Sequence, residues 1–93
     1  MSGLRRVAYV VTGRVQGVAF RAHARDAARA LGVTGFVANR ADGAVIGEAQ
    51  APVPRLGEFL AALHRGSPWS RVENVAVDDL VVRDGEERFE VQR

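Results

Sequence analysis

Cysteine and lysine are both missing from this 93-residue chain; tryptophan, tyrosine and methionine occur once each, and proline three times. Without cysteine there can be no disulfide framework, no thiolate metal ligand and no thiol nucleophile, so core packing must carry the stability. Without lysine, all 13 basic residues are arginines, and a guanidinium stays charged until about pH 12 or beyond. That accounts for an isoelectric point of about 10.4 beside a formal charge of only +2, from 13 basic and 11 acidic residues. The isoelectric point overstates the basicity, and nucleic acid is not expected as a partner. No apolar run approaches the roughly 20 residues that span a bilayer. The opening Met1-Ser2-Gly3-Leu4-Arg5-Arg6 also lacks the apolar stretch of a secretory signal. No membrane partner is expected, and the expected location is cytoplasmic.

What is present is the balance of a globular protein: 47% hydrophobic and 26% charged residues. With no linker, repeat, low-complexity tract or change in composition, residues 1–93 read as a single domain. The β-branched and aromatic run Val7–Thr12, ending at Gly13, predicts a first strand. The Ala- and Arg-rich segment that follows predicts a helix, with Phe20, Ala24, Ala27, Ala28 and Leu31 at helical spacing and Gly32 as its stop. Gly35–Arg40 and Ala44–Ala49 flank Ala41-Asp42-Gly43, a hairpin signature. Pro52 and Pro54 open a second helix. Leu56, Phe59, Leu60 and Leu63 are expected along its inner side, and Arg55, Glu58, Ala62 and Arg65 along its outer side. Gly66-Ser67-Pro68 ends it. Val72, Val75 and Val77 suggest a fourth strand, Arg83-Asp84-Gly85-Glu86 a turn, and Phe89 and Val91 a closing strand. The order is a split βαβ pattern: an α+β sandwich with an antiparallel sheet covered on one face by two helices.

The stretch that carries chemistry is Gly13-Arg14-Val15-Gln16-Gly17-Val18-Ala19-Phe20-Arg21, between the first strand and the first helix. A glycine-bounded turn into a helix start aims unpaired backbone N–H groups at one point, helped by the positive end of the helix dipole, and so forms an anion site. Arg21 adds a planar fork of donors in the first helical turn. A cation there opposes the helix dipole by roughly 0.3–1 kcal/mol, which an anion held between it and the amides would offset. The alternative is a solvated arginine on an arginine-rich helix. No Gly-Lys-Ser or Gly-Lys-Thr follows, and the dinucleotide fingerprint spacing is absent, so nucleotide chemistry is disfavoured.

Together with Gly35-Phe36-Val37-Ala38-Asn39 and Asp42-Gly43, this stretch resembles the signature pair of the acylphosphatase family. The resemblance spans almost the whole chain, since Gly66-Ser67-Pro68, Ser70-Arg71-Val72 and Phe89-Glu90-Val91 fit as well. It implies a ferredoxin-like domain that hydrolyses acyl phosphates to a carboxylate and inorganic phosphate, without metal or cofactor. By that resemblance Arg21 binds the phosphate and Asn39 orients the attacking water. The substrate-binding loop takes in Gly13, Val15, Gln16, Gly17, Val18, Ala19 and Phe20. Gly13 and Gly17 would set its turn, and the amides from Val15 to Phe20 would hold the phosphoryl oxygens. Inorganic phosphate would be product or inhibitor, and a monomer suffices. Read without the family, Asn39 could instead satisfy the turn before Asp42-Gly43. Phe36 stands where the family commonly has Trp, Ala19 is smaller than many residues found there, and Ala51 replaces a frequent Gly. All three bear on turnover and substrate range.

His23 and His64 each occur without a partner at catalytic or metal-ligand spacing. Asp78 and Asp79 are adjacent in a strand and must point to opposite faces. Trp69 is expected to anchor packing or to make an exposed partner contact. Two rival functions stand beside the enzyme. One is a non-catalytic phosphate-sensing module, as the family's domain forms within larger carbamoyl-transfer maturation proteins. The other is single-stranded RNA binding on the open sheet face, for which Tyr9 is the stacking candidate.

Overall fold

The computed structural model describes residues 3–93. Its elements run β1 (Leu4–Arg14), α1 (Phe20–Leu31), β2 (Thr34–Asn39), β3 (Val45–Pro52), α2 (Val53–Arg65), β4 (Arg71–Leu80) and β5 (Phe89–Gln92). The strands form one sheet in the order β4-β1-β3-β2-β5, with both helices on one face. Strand periodicity dictates the sorting. Val7, Tyr9 and Val11 of β1 and Val45, Ala49 and Ala51 of β3 turn toward the helices and are buried. There they meet Phe20, Ala24 and Ala28 of α1 and Leu56, Phe59 and Leu63 of α2. Phe59 sits at the centre, edge-to-face with Tyr9 at 5.8 Å and with Phe89 at 5.5 Å, a favoured aromatic geometry.

The α+β ferredoxin-like sandwich is thus the observed fold, with four adjustments to the expectations above. The sheet is mixed, because β5 joins β2 in parallel while every other neighbouring pair is antiparallel. Ala62 lies inside, 4% exposed, because α2 packs on α1 as well as on the sheet. Trp69 is no packing anchor: it is 78% exposed in the connection after α2. Tyr9 is buried on the helix-covered face, where its hydroxyl donates to the Phe36 carbonyl at 2.7 Å, so it cannot stack a base on the open face. To reach that carbonyl the ring crosses β3 at Gly47, directly opposite in register, where any Cβ would overlap the phenol. Burial pushes the Tyr9 hydroxyl pKa well above its ordinary value.

A β-bulge shapes the end of β1 that leads into the loop. Thr12 pairs with Asn74 but Gly13 pairs with Val72, leaving Glu73 as the extra residue. The bulge explains why the apolar positions of β4 step by three from Val72 to Val75 and then by two to Val77. Gly13 has φ 122°, and a Cβ there would run into the main chain of Arg71 and Glu73, so only glycine fits.

On the opposite face, Arg6 is buried at 2% exposure beneath the β4–β5 connection. Its guanidinium reaches Glu86 through Nη1 at 2.7 Å and Nη2 at 3.2 Å, and Glu48 through Nε at 3.0 Å. Gln50 fastens the same connection, its amide donating to the Arg83 carbonyl at 2.9 Å and its Oε1 accepting from the Arg83 N–H at 2.8 Å. Asp78 and Asp79 are exposed at the end of β4, Asp79 pairing with Arg5 at 2.7 Å. Neither helix is long and apolar enough to cross a membrane.

Candidate functional site

The chain leaves β1 at Arg14 and must reverse into α1 within five residues. It does so with Gly17 at φ 73° and Ala19 at φ 59°, ψ 23°. Ala19 is the one non-glycine residue among those described with positive φ, a conformation costing an L-residue about 1–2 kcal/mol. It occupies the N-cap position of α1 but supplies no side-chain hydrogen bond, and the first turn holds no acidic residue. Helix starts normally receive a Ser, Thr, Asp or Asn oxygen or a nearby carboxylate; this one receives neither. Among the described residues, none of the N–H groups from Val15 to Ala19 donates to another main-chain group. The result is a bend of unengaged donors at the positive end of a helix, a geometry suited to an anion.

Side chains from elsewhere hold the bend in shape. Val15 and Phe20 are buried in the core, each 1% exposed, pinning the loop at both ends. The Gln16 amide crosses to the β2–β3 hairpin and donates to the carbonyls of Arg40 at 2.7 Å and Ala44 at 2.9 Å. From the other side Ser67, just past α2, donates its hydroxyl to the Val18 carbonyl at 2.8 Å. Ser70 Oγ in turn donates to the Ser67 carbonyl at 2.8 Å.

A pocket of about 220 Å³ opens over this loop, lined by Val15, Gly17, Ala19, Phe20, Arg21, Ala22, Arg25, Asn39 and Val91. Arg21 and Asn39, the two side chains singled out from sequence, therefore meet there from different elements. Arg21 is half-buried, and its Nη1 donates to the Gln92 carbonyl of β5 at 2.9 Å; the fork is braced against the sheet edge, not left to solvent. Asn39 ends β2, exposed at the rim. The hairpin beyond it does not use the Asn39 amide. It is closed by Arg40 N–H to Ala44 O at 2.8 Å, Gly43 N–H to Arg40 O at 3.1 Å, and Ala44 N–H to the Asp42 carboxylate at 3.1 Å. Arg40 grips the same carboxylate and, with the Ala44 amide, holds Asp42 down at a pKa of about 2.

Not every residue assigned to the binding loop lines the pocket. Gly13, Gln16 and Val18 stand behind it: Gly13 shapes the bulge, Gln16 and the Val18 carbonyl carry the two tethers. Sequence reasoning missed Ser67, read only as part of a helix stop, and Arg25, which it did not single out. Val91 was expected in the closing strand but not as part of the pocket wall. His23 and His64 do not line the pocket.

Comparison with known proteins follows the same outline. A sequence model of the acylphosphatase family matches residues 7–91. The chain is 46% identical over 89 residues to an acylphosphatase of Salinibacter ruber, covering 96% of this chain and 94% of that one. It is 46% identical over 77 residues to acylphosphatase-2 of Xenopus tropicalis, covering 82% and 75% respectively. Among solved structures, an acylphosphatase from Bacillus subtilis superposes with a TM-score of 0.91 at 36% identity, over 97% of this chain and 99% of that one.

Proposed function

The chain belongs to the acylphosphatase family, hydrolases acting on acid anhydrides, and we propose that it hydrolyses acyl phosphates with Arg21 and the Val15–Phe20 amides as its phosphate clamp and Asn39 as its water-orienting group. The observation that carries this assignment is the meeting of Arg21 and Asn39 in one pocket, over a bend whose amides donate to no other main-chain group among the described residues.

An acyl phosphate is a mixed anhydride whose leaving group is already a stable carboxylate, so catalysis reduces largely to holding charge and aligning attack. The loop amides and the guanidinium take the non-bridging oxygens, over which the charge of the transferring phosphoryl group is spread. The side-chain carbonyl of Asn39 accepts a hydrogen bond from one water and sets its lone pair toward phosphorus. The water oxygen bonds to phosphorus, the bond from phosphorus to the acyl oxygen breaks, and the carboxylate departs with the bonding pair. An amide cannot take a proton at neutral pH, so the water's proton passes to a phosphate oxygen. Inorganic phosphate, as product, competes for the same clamp. The pocket is assembled from α1, β2, β5 and one loop of a single chain, which supports a monomeric enzyme.

Turnover of benzoyl phosphate at neutral pH, in the presence of EDTA, tests the reading. Arg21→Ala should lower kcat/KM on the order of 10²- to 10³-fold and weaken phosphate inhibition with it. Asn39→Ala should lower kcat while leaving phosphate inhibition close to that of the unaltered enzyme. Two variants indistinguishable from wild type would remove both residues from the site.

A further inference from the structure

Three arginines of α1, Arg21, Arg25 and Arg29, follow one another at four-residue intervals and so share a face of the helix. The outer two each reach a carbonyl of β5. Arg21 donates to the Gln92 carbonyl at 2.9 Å, and Arg29 reaches toward the Phe89 carbonyl at 3.5 Å. Arg25, between them, makes no bond to β5. Among the described residues its Nε meets only the carboxylate of its exposed sequence neighbour Asp26, at 3.1 Å, a pairing that solvent leaves nearly without energetic weight. Yet Arg25 lines the pocket beside Arg21.

Two arginines, Arg21 and Arg25, thus line a pocket at a positive helix end whose lining holds no acidic residue. The phosphoryl group is already matched by the loop amides and Arg21. A second cation, paired only with the exposed Asp26 among the described residues, is one more than that group requires. Its backbone position is one helical turn farther along α1, a rise of about 6 Å at roughly 1.5 Å per residue. Arg25 thus lies farther from the loop amides than Arg21 does, beyond the clamp proposed for the phosphoryl group.

We infer that Arg25 is a specificity-determining residue that favours acyl phosphates bearing a second anionic group, a carboxylate or a phosphate, on the acyl side. This rests on the phosphate clamp proposed above. A planar guanidinium suits either anion through paired N–H donors, and its contact would add binding that an uncharged acyl group cannot draw on.

A matched pair of substrates reads it: benzoyl phosphate and 3-carboxybenzoyl phosphate, whose ring carboxylate cannot close onto the anhydride. The quantity is the ratio of kcat/KM for the carboxylated substrate to that for benzoyl phosphate, in wild type and in Arg25→Gln. Intrinsic differences in substrate reactivity cancel between the two proteins. The ratio should fall at least tenfold in Arg25→Gln. An unchanged ratio, or an equal loss on both substrates, overturns the inference, the second result placing Arg25 on the shared phosphate or in long-range attraction. Wild type that turns over neither substrate would overturn the clamp itself, and this inference with it. Turnover with an unchanged ratio sinks the inference alone.

Discussion

Replacing Arg6 with methionine tests how the open face of the sheet is held. The substitution keeps an unbranched apolar stem but removes every donor to Glu48, Gln50 and Glu86. Stranding the partner of a buried ion pair costs about 3–5 kcal/mol. Glu48 and Glu86 retain 28% and 15% exposure, so they can regain some hydration, and the expected loss is about 2–4 kcal/mol at pH 7. Such a loss is a large part of a small domain's roughly 5–15 kcal/mol. The cost must also depend on pH. Burial alone would push the Glu86 carboxyl up, but hydrogen bonds from Arg6 and Thr34, with the charges of Arg6 and Arg83, outweigh that and hold it below its ordinary value of 4.5. A carboxyl whose pKa is lowered by folding contributes stability that is complete above the unfolded value and drains away as pH falls through the folded one. The penalty of Arg6→Met should therefore be greatest at neutral pH and shrink below about pH 4.5. Urea unfolding of both proteins at pH 7 and pH 3 measures it. A penalty under about 1 kcal/mol at pH 7, or one of equal size at both pH values, refutes the reasoning. Adding Glu86→Leu to Arg6→Met should recover part of the loss, since the stranded carboxylate goes with it.

Other perturbations separate shape from chemistry. Ser67→Ala leaves the Val18 carbonyl without its donor and should cost about 1–2 kcal/mol; weaker phosphate inhibition with Arg21 intact would identify it as a positioning residue, and unchanged inhibition would not. Gly13→Ala forces a Cβ against the Arg71 and Glu73 main chain at a positive φ. A loss of about 3 kcal/mol or more is expected, together with most of the turnover; a variant as stable as wild type in urea would contradict the bulge geometry. Phe59→Ala empties the point where Tyr9 and Phe89 meet edge-on and should cost about 3–5 kcal/mol by the same assay.

Much of this was legible in the residues, for reasons that differ from element to element. Alternation and helical spacing announced the strands and helices because the sheet's two faces differ so sharply in environment. Asp42-Gly43 announced the hairpin through turn chemistry. The skipped beat between Val72 and Val75 was also in the sequence, but only the partner strand identifies it as a bulge. The direction of β5 was not legible, since alternating residues look the same in a parallel and an antiparallel pairing. Ala62 misled because its burial comes from the neighbouring helix, and a small side chain leaves little trace in an amphipathic pattern. Arg21 and Asn39 were named in advance, from a loop motif and a resemblance. Ser67 and Gln16 act by hydrogen bonds to loop carbonyls 49 and 24 or more residues away. Such bonds carry no periodicity, so only the folded chain brings them to light. Arg6 and Glu86, 80 residues apart, were invisible for the same reason.

The brace from Arg21 to the Gln92 carbonyl joins residues 71 apart, which means that the posture of the guanidinium is set by the strand a ribosome delivers after all the others. A nascent chain already collapsed around its first four strands still lacks that brace, and competence for turnover should arrive later than compactness. Clipping after Glu90 would act the same way in reverse, silencing the enzyme while Phe89 keeps the core closed. Loss of turnover in the clipped protein, with its urea unfolding still cooperative, would expose the dependence directly.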